Sequence, residues 1–174
     1  MTRQRPTPTG RASPFDENDI IVTKTDPTGR IVYANETFLQ VSRMPRQAVI
    51  GQPHNLVRNP DMPRCIFAMM WKTIQSGGEF FGYIKNLASN GDHYWVFAHV
   101  TPSRDHAGTI TGFHSNRRKP DQAQVDRVAP LYARLLEAER GAADRAAGQH
   151  RSADLFATML SERRLSYDQF AFSI

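Results

Sequence analysis

The sequence of 174 residues lacks the features that define several large protein classes. It contains a single cysteine, Cys65, which excludes an intrachain disulfide and a zinc site built from several cysteines. No apolar run approaches the length of a membrane span, and the arginine-rich N-terminus lacks the apolar centre of a signal peptide. We therefore expect a cytoplasmic protein with no membrane span.

Catalytic motifs are missing as well. The sequence has no GxSxG nucleophile motif, no Walker phosphate loop and no HExxH metal motif. Its six histidines do not show the spacing of metal ligands. These absences predict a protein that is not an enzyme and that binds no metal.

The basic charge is unevenly distributed along the chain. The formal net charge is +5, which raises nucleic acid as a partner. Residues 1–14 carry three arginines and no acid, whereas residues 119–174 carry eight basic and eight acidic side chains. The segment 1–14 is rich in Thr, Pro and Gly, which predicts a disordered tail. Because most of the excess charge lies in that tail, we expect no nucleic-acid partner.

The apolar pattern of residues 15–118 predicts one α+β domain. Two β-branched segments flank the turn sequence DPTG and predict a hairpin. Asn35 follows as the predicted N-cap of a short helix, and Pro63 begins a longer helix that ends at Gly77-Gly78. The predicted strands are residues 19–24, 30–34, 79–88, 92–103 and 109–117.

Residues 119–174 read as a helical extension for signalling or dimerisation. An apolar stripe with helical spacing contains Val128, Leu131 and Leu135, and residues 152–164 form a second amphipathic segment. The Ala-rich polar residues 141–148 between them predict a frayed helix end or a linker. We expect a homodimer in which these helices take part.

Several motifs in register resemble the PAS domains of bacterial aerotaxis receptors. Residues 51–63 read GQPHNLVRNPDMP, which is similar to the GQPHNxVRHPDMP segment of that family. Phe67 and Trp71 lie where its following helix carries Phe and Trp, and residues 90–96 (NGDHYWV) match a further segment. The resemblance extends over roughly residues 18–135.

The resemblance implies a fold, a cofactor and a role. The fold is a five-stranded antiparallel sheet with short helices across one face, followed by C-terminal helices. The cofactor is FAD, held non-covalently between sheet and helices. The role is that of a redox or oxygen sensor that transmits the flavin redox state to a chemotaxis protein or another signalling partner.

The family resemblance also implies the residues that contact FAD. They are Arg58, Asn59, Asp61, Trp71 and Asn86, with Asn35 at the edge of the same pocket. A bidentate guanidinium suits phosphate, an indole can stack on a flavin or adenine ring, and an amide can hydrogen-bond the edge of the isoalloxazine. For Asp61 a role as a loop anchor is the first interpretation. At Asn59 the family usually has His, and Asn retains a hydrogen-bond donor but no positive charge.

Other interpretations of the same residues remain open. A PAS domain without cofactor can act as a dimerisation or protein-interaction module. A haem-based gas sensor would use His54 as an axial ligand. Cys65 superficially matches the reactive cysteine of LOV photoreceptors, but its neighbours do not, so a buried hydrophobic role is favoured for it.

Overall fold

The computed structural model, which describes residues 6–174, contains a five-stranded antiparallel sheet and five α-helices. The strands are β1 (Ile21–Thr25), β2 (Ile31–Ala34), β3 (Phe80–Leu87), β4 (His93–Arg104) and β5 (Ile110–Arg118). Their order across the sheet is β2-β1-β5-β4-β3. The predicted α+β architecture is confirmed, and each strand begins and ends within a few residues of its predicted bounds.

Short helical segments connect β2 to β3 and cover one face of the sheet. They are α1 (Glu36–Ser42), the 3-10 turns Arg46–Ala48 and His54–Val57, and α2 (Arg64–Gln75). Asn35 caps α1, since its side chain accepts a hydrogen bond from the backbone N–H of Phe38. The cap predicted from the sequence is therefore confirmed.

Three helices follow the sheet: α3 (Gln122–Arg140), α4 (Arg145–Glu162) and α5 (Tyr167–Ser173). Half of the predicted linker at residues 141–148 belongs to α4, whose N-cap Asp144 accepts from the N–H of Ala147. The sequence analysis also missed α5, which Ser166 and Gln169 open with a reciprocal capping box.

These helices wrap the exposed edge of β3 instead of standing apart from the sheet. The Tyr132 hydroxyl of α3 donates to the carbonyl oxygen of Tyr83 at 2.8 Å. Tyr167 stacks on Phe80, and its hydroxyl lies close to Gly82, where a Cβ atom would meet it at 2.5 Å. An unpaired sheet edge is thus covered by the chain's own C-terminal helices.

The apolar stripe of α3 is used inside the chain. Val128, Leu131 and Leu135 are buried in the hydrophobic core. Because these side chains are already packed within the chain, they are not available as the contact surface of a homodimer. The homodimer itself stays a prediction.

Part of the segment predicted to be a disordered tail is paired with the sheet. The N–H of Thr9 donates to Gly91 at 2.9 Å, the N–H of Ser13 donates to His93 at 2.7 Å, and Arg11 lies 3.4 Å from the Asp92 carboxylate. For residues 9–13 the prediction of disorder is corrected, because backbone hydrogen bonds tie them to the β3–β4 turn. Residues 1–5 of the predicted tail lie outside the described residues.

Candidate functional site

A cavity of about 380 Å³ lies between the inner face of the sheet, α2, the His54–Val57 turn and the start of α4. Its volume falls in the range of about 300–1,000 Å³ that is usual for cofactor and small-molecule sites. Most of the wall is apolar. These apolar side chains come from α2 and from strands β3, β4 and β5: Phe67, Met70, Trp71, Ile74, Ile84, Ala98, Val100 and Phe113.

The charged side chains around this cavity all have one sign. Four arginines line it, and none of the described residues that line it is an aspartate or a glutamate. Arg58 lies with its guanidinium carbon 4.5 Å from the centre of the Phe67 ring, and Arg64 lies 3.8 Å from Glu139, which is outside the lining. The other two are Arg117 and Arg145. Such a site favours an anionic ligand.

Arg117 is the most enclosed of the four, with 2% of its surface exposed. Its Nε donates to Ser115 Oγ at 2.9 Å, and its Nη2 donates to Thr23 Oγ1. Its Nη1 is buried and has no hydrogen-bond partner in the described chain. Burial lowers the pKa of Arg117 to about 10, so the side chain is cationic at neutral pH. A buried cation without a counter-ion is costly, which makes this side chain a position for a bound anion.

His54 completes the polar cluster around Arg117. Its Nε2 lies 3.0 Å from both Thr23 Oγ1 and Arg117 Nη2. Burial, followed by the positive charge of Arg117, lowers the pKa of His54 to about 3. The ring is therefore neutral, and its Nε2 serves as an acceptor in this cluster. The Nε2 that a haem iron would use is thus engaged in hydrogen bonds within the chain.

The three asparagines predicted for the site have three different environments. Asn86 lines the cavity and is 4% exposed. Asn59 donates to the Asn86 carbonyl at 3.3 Å and accepts from the N–H of Asp61 at 2.9 Å. Asn35 accepts from Val22 and Phe38. Of the three, Asn86 alone lines the cavity.

The remaining predicted residues also differ in whether they line the cavity. Arg58 and Trp71 line the cavity, whereas Asp61 does not. The Asp61 carboxylate lies 2.9 Å from Lys85 Nζ, which agrees with its interpretation as a loop anchor. The structure therefore brings Arg58, Trp71 and Asn86 to one cavity and leaves Asn35, Asn59 and Asp61 in the surrounding framework.

Trp71 is held in position by the turn between β1 and β2. Its ring meets Phe113 edge-on with centroids 5.5 Å apart. A Cβ atom on Gly29 would lie 2.9 Å from Trp71 Cη2, and Gly29 has a φ of +84°. Both the backbone conformation and the close approach require glycine there.

Cys65 does not line the cavity. It is buried at the start of α2, near Ser152 and Glu139, and burial raises the pKa of its thiol. The buried role expected from the sequence agrees with this position, and a light-driven bond from Cys65 to a ligand in the cavity is not supported.

Sequence reasoning missed Arg117, Thr23 and Ser115. A signal was available, because Phe113, Ser115 and Arg117 alternate along β5 and so share the inner face of the sheet. It also missed Arg145 and Gln149, since the segment containing Arg145 was read as a linker. Among residues 6–174 there is no cluster of three or more metal-ligating side chains and no helix long and apolar enough to span a bilayer.

Comparison with known proteins identifies the family to which this architecture corresponds. Residues 18–116 match the family described as the PAS fold. The aerotaxis receptor of Escherichia coli (strain K12) is 41% identical over 127 residues, which are 73% of this chain and 25% of that protein. The chain thus spans about a quarter of the length of this relative.

Solved structures show the same fold at low sequence identity. The dark structure of the blue-light photoreceptor Aureochrome1 LOV has a TM-score of 0.56 and 20% identity, over 68% of this chain and 86% of that one. A light-oxygen-voltage domain studied with a flavin analogue has a TM-score of 0.55 and 18% identity, over 69% and 87%. At this identity the likeness concerns the fold alone.

Proposed function

The chain belongs to the PAS family, and from this premise we propose that it binds FAD in the arginine-lined cavity and acts as a redox or oxygen sensor. The observation that carries the proposal is Arg117, a buried cation that lines the cavity, has an unpaired Nη1 and has no carboxylate among the described lining residues beside it. FAD is the cofactor implied by the motifs that resemble aerotaxis-receptor PAS domains, and the 41% identity to the aerotaxis receptor supports that resemblance.

The cavity wall suits the two chemically different parts of a flavin dinucleotide. The apolar side chains of α2 and the sheet can enclose a ring system, with Trp71 available for stacking. Arg58, Arg64 and Arg145 can neutralise a pyrophosphate. Asn86, which lines the cavity, can donate to or accept from the edge of the ring.

A bound flavin supplies a ring whose charge and hydrogen-bonding pattern change on reduction. The residues of this chain determine how the protein responds to such a change. Arg117 offers a positive charge at the inner wall, and Asn86 can exchange donor for acceptor by rotating its amide. Asn86 also pairs through its backbone with Arg58, so a movement at β3 reaches the His54–Val57 turn.

We further propose that the signal passes by contact to a chemotaxis protein or another signalling partner, without catalysis by this chain. The 41% identity to the aerotaxis receptor supports this partner class. The cytoplasmic location and the homodimer expected from the sequence stay predictions.

The test is the visible absorption spectrum of the purified protein before and after dithionite. We expect flavin bands near their usual positions that bleach on reduction, and FAD as the cofactor released on denaturation. Protein that has no flavin bands and does not take up FAD on reconstitution would contradict the proposal and favour a cofactor-free interaction module.

A pair of neighbouring arginines sharpens this test. Arg117→Met removes the buried cation, and we expect a loss of FAD affinity of about tenfold or more, because hydrogen bonds to charged groups contribute about 1.5–3 kcal/mol. Arg118→Met changes the next residue of β5, which is exposed, and should leave the affinity unchanged. Equal loss in both variants would contradict a specific role for Arg117.

A further inference from the structure

Helix α2, which supplies much of the cavity wall, has no cap of its own. Its N-cap is Pro63, whose side chain makes no capping hydrogen bond. The first backbone N–H groups of a helix have no partner within that helix and must be satisfied from elsewhere. In α2 the first of these donors are the N–H groups of Arg64 and Cys65.

The missing cap comes from the C-terminal helices. Glu139 Oε1, near the end of α3, accepts from the N–H of Arg64 at 2.6 Å and from the N–H of Cys65 at 3.4 Å. The Ser152 hydroxyl of α4 donates to the same oxygen at 3.0 Å. Glu139 is buried, with 7% of its surface exposed. One carboxylate therefore joins α2, α3 and α4.

The close approach of α3 and α4 at this joint depends on a glycine. A Cβ atom on Gly148 would lie 2.6 Å from the carbonyl oxygen of Glu139. Because that neighbour is backbone, a side chain at position 148 would force the two helices apart. The hairpin formed by α3 and α4 is thus built to bring Glu139 and the first turns of α4 against α2.

The same first turns of α4 reach the cavity. Arg145 and Gln149 line it, and they are four residues apart, so they share one face of the helix. Arg117 lines the same cavity with its buried, unpaired Nη1, which marks it independently as a place for an anion.

We propose that the α3–α4 hairpin is a clasp over the ligand site: Arg145 and Gln149 contact the anionic part of the bound dinucleotide, and Glu139 fastens the hairpin to α2. The inference rests on the proposed function for the identity of the ligand. A ligand that contacts the docked hairpin binds that state more tightly, so ligand binding stabilises docking and docking raises ligand affinity. The hairpin is then the element that transmits ligand binding in the cavity to the signalling partner.

The ligand half of this inference is tested by titrating the full chain with FAD. We expect the double variant Arg145→Gln, Gln149→Ala to raise the dissociation constant about three- to tenfold, with a smaller effect at high salt because Arg145 is exposed. Arg140→Gln, at the exposed end of α3, is the matched control and should bind FAD as the wild type does. Unchanged affinity in the double variant, with FAD bound by the wild type, would overturn the clasp alone.

The role of Glu139 in fastening the hairpin to α2 is tested by amide hydrogen exchange, first in protein without ligand. We expect Glu139→Gln, and more mildly Ser152→Ala, to speed exchange of the Arg64 and Cys65 amides, while the amides of β4 keep their protection. In the wild type, saturating FAD should slow exchange in residues 139–152. Unchanged exchange at Arg64 and Cys65 in both variants would overturn the clasp.

Failure of the proposed function has a different signature. Wild-type protein that binds no FAD would overturn the flavin sensor together with the ligand contact of Arg145 and Gln149. The exchange rates at Arg64 and Cys65 would then decide, separately, whether Glu139 fastens the hairpin to α2.

Discussion

The sheet and the helical extension each bury one charged side chain beside the cavity, and the two side chains differ in how fully they are hydrogen-bonded. Arg117, on β5, keeps one buried nitrogen without a partner and has no acid next to it. Glu139, on α3, is satisfied by two backbone N–H groups and the Ser152 hydroxyl, with Arg64 at 3.8 Å. Removing one partner of a satisfied buried charge destabilises the fold, whereas an unsatisfied buried charge marks a candidate position for a ligand.

The largest expected difference between the two charges is in stability without ligand. Glu139→Ala should lower the free energy of unfolding by about 3 kcal/mol, because it leaves two backbone N–H groups at the start of α2 without an acceptor and removes a buried acceptor of the Ser152 hydroxyl. Arg117→Met should cost less than about 1 kcal/mol or stabilise the flavin-free protein, since it replaces an uncompensated buried cation by an apolar side chain. Urea unfolding of flavin-free protein measures both.

The control for this comparison is Glu137→Ala, two residues earlier on the exposed face of α3, which should change stability by less than about 0.5 kcal/mol. If Arg117→Met destabilises the flavin-free protein as much as Glu139→Ala does, both charges are structural, and the contrast between the two regions fails.

Two asparagines of the PAS domain allow the same comparison between a residue at the ligand site and a residue of the structural framework. Asn86→Ala should weaken FAD binding by about tenfold, because Asn86 lines the cavity and its amide can hydrogen-bond the ligand, and should change stability little. Asn35→Ala should leave the dissociation constant unchanged and cost about 1 kcal/mol of stability through the lost cap of α1. The two variants are compared by FAD titration and by urea unfolding. Lowered affinity in Asn35→Ala would place that residue in the ligand site after all.

The smallest expected effect is a pH dependence that arises from His54. Unfolded His54 binds a proton with its ordinary pKa of 6.5, whereas the folded ring, with its pKa lowered, stays neutral until about pH 3. As the pH falls below 6.5 the unfolded state therefore takes up a proton that the folded state does not, and stability declines. From about pH 7.5 to about pH 5.5 the wild type should lose about 1 kcal/mol more than His54→Asn.

This prediction is checked by urea unfolding of both proteins at the two ends of that range. Identical pH dependence in wild type and His54→Asn would show that the His54 ring is protonated in the folded state, and the neutral cluster around Arg117 would have to be revised.

The strands, the turns and the cap were predictable because their causes are local. The DPTG turn with Gly29, the Asn35 cap and the alternating strands each depend on residues a few positions apart. The site was predictable only in part. Asn35, Asn59 and Asp61 were grouped with Arg58, Trp71 and Asn86 by motif, but the first three use their polar atoms in the framework.

The sequence by itself determined the PAS fold, through turns, alternation and family motifs that neighbouring residues carry together. Only the tertiary structure decided which charges are left without partners. Arg117 and Arg118 are adjacent and chemically identical, yet one is buried beside Thr23 and His54 and the other faces solvent. Glu139 caps a helix that begins 75 residues earlier. Desolvation and hydrogen-bond satisfaction depend on groups that distant elements bring together, so no local pattern can report them.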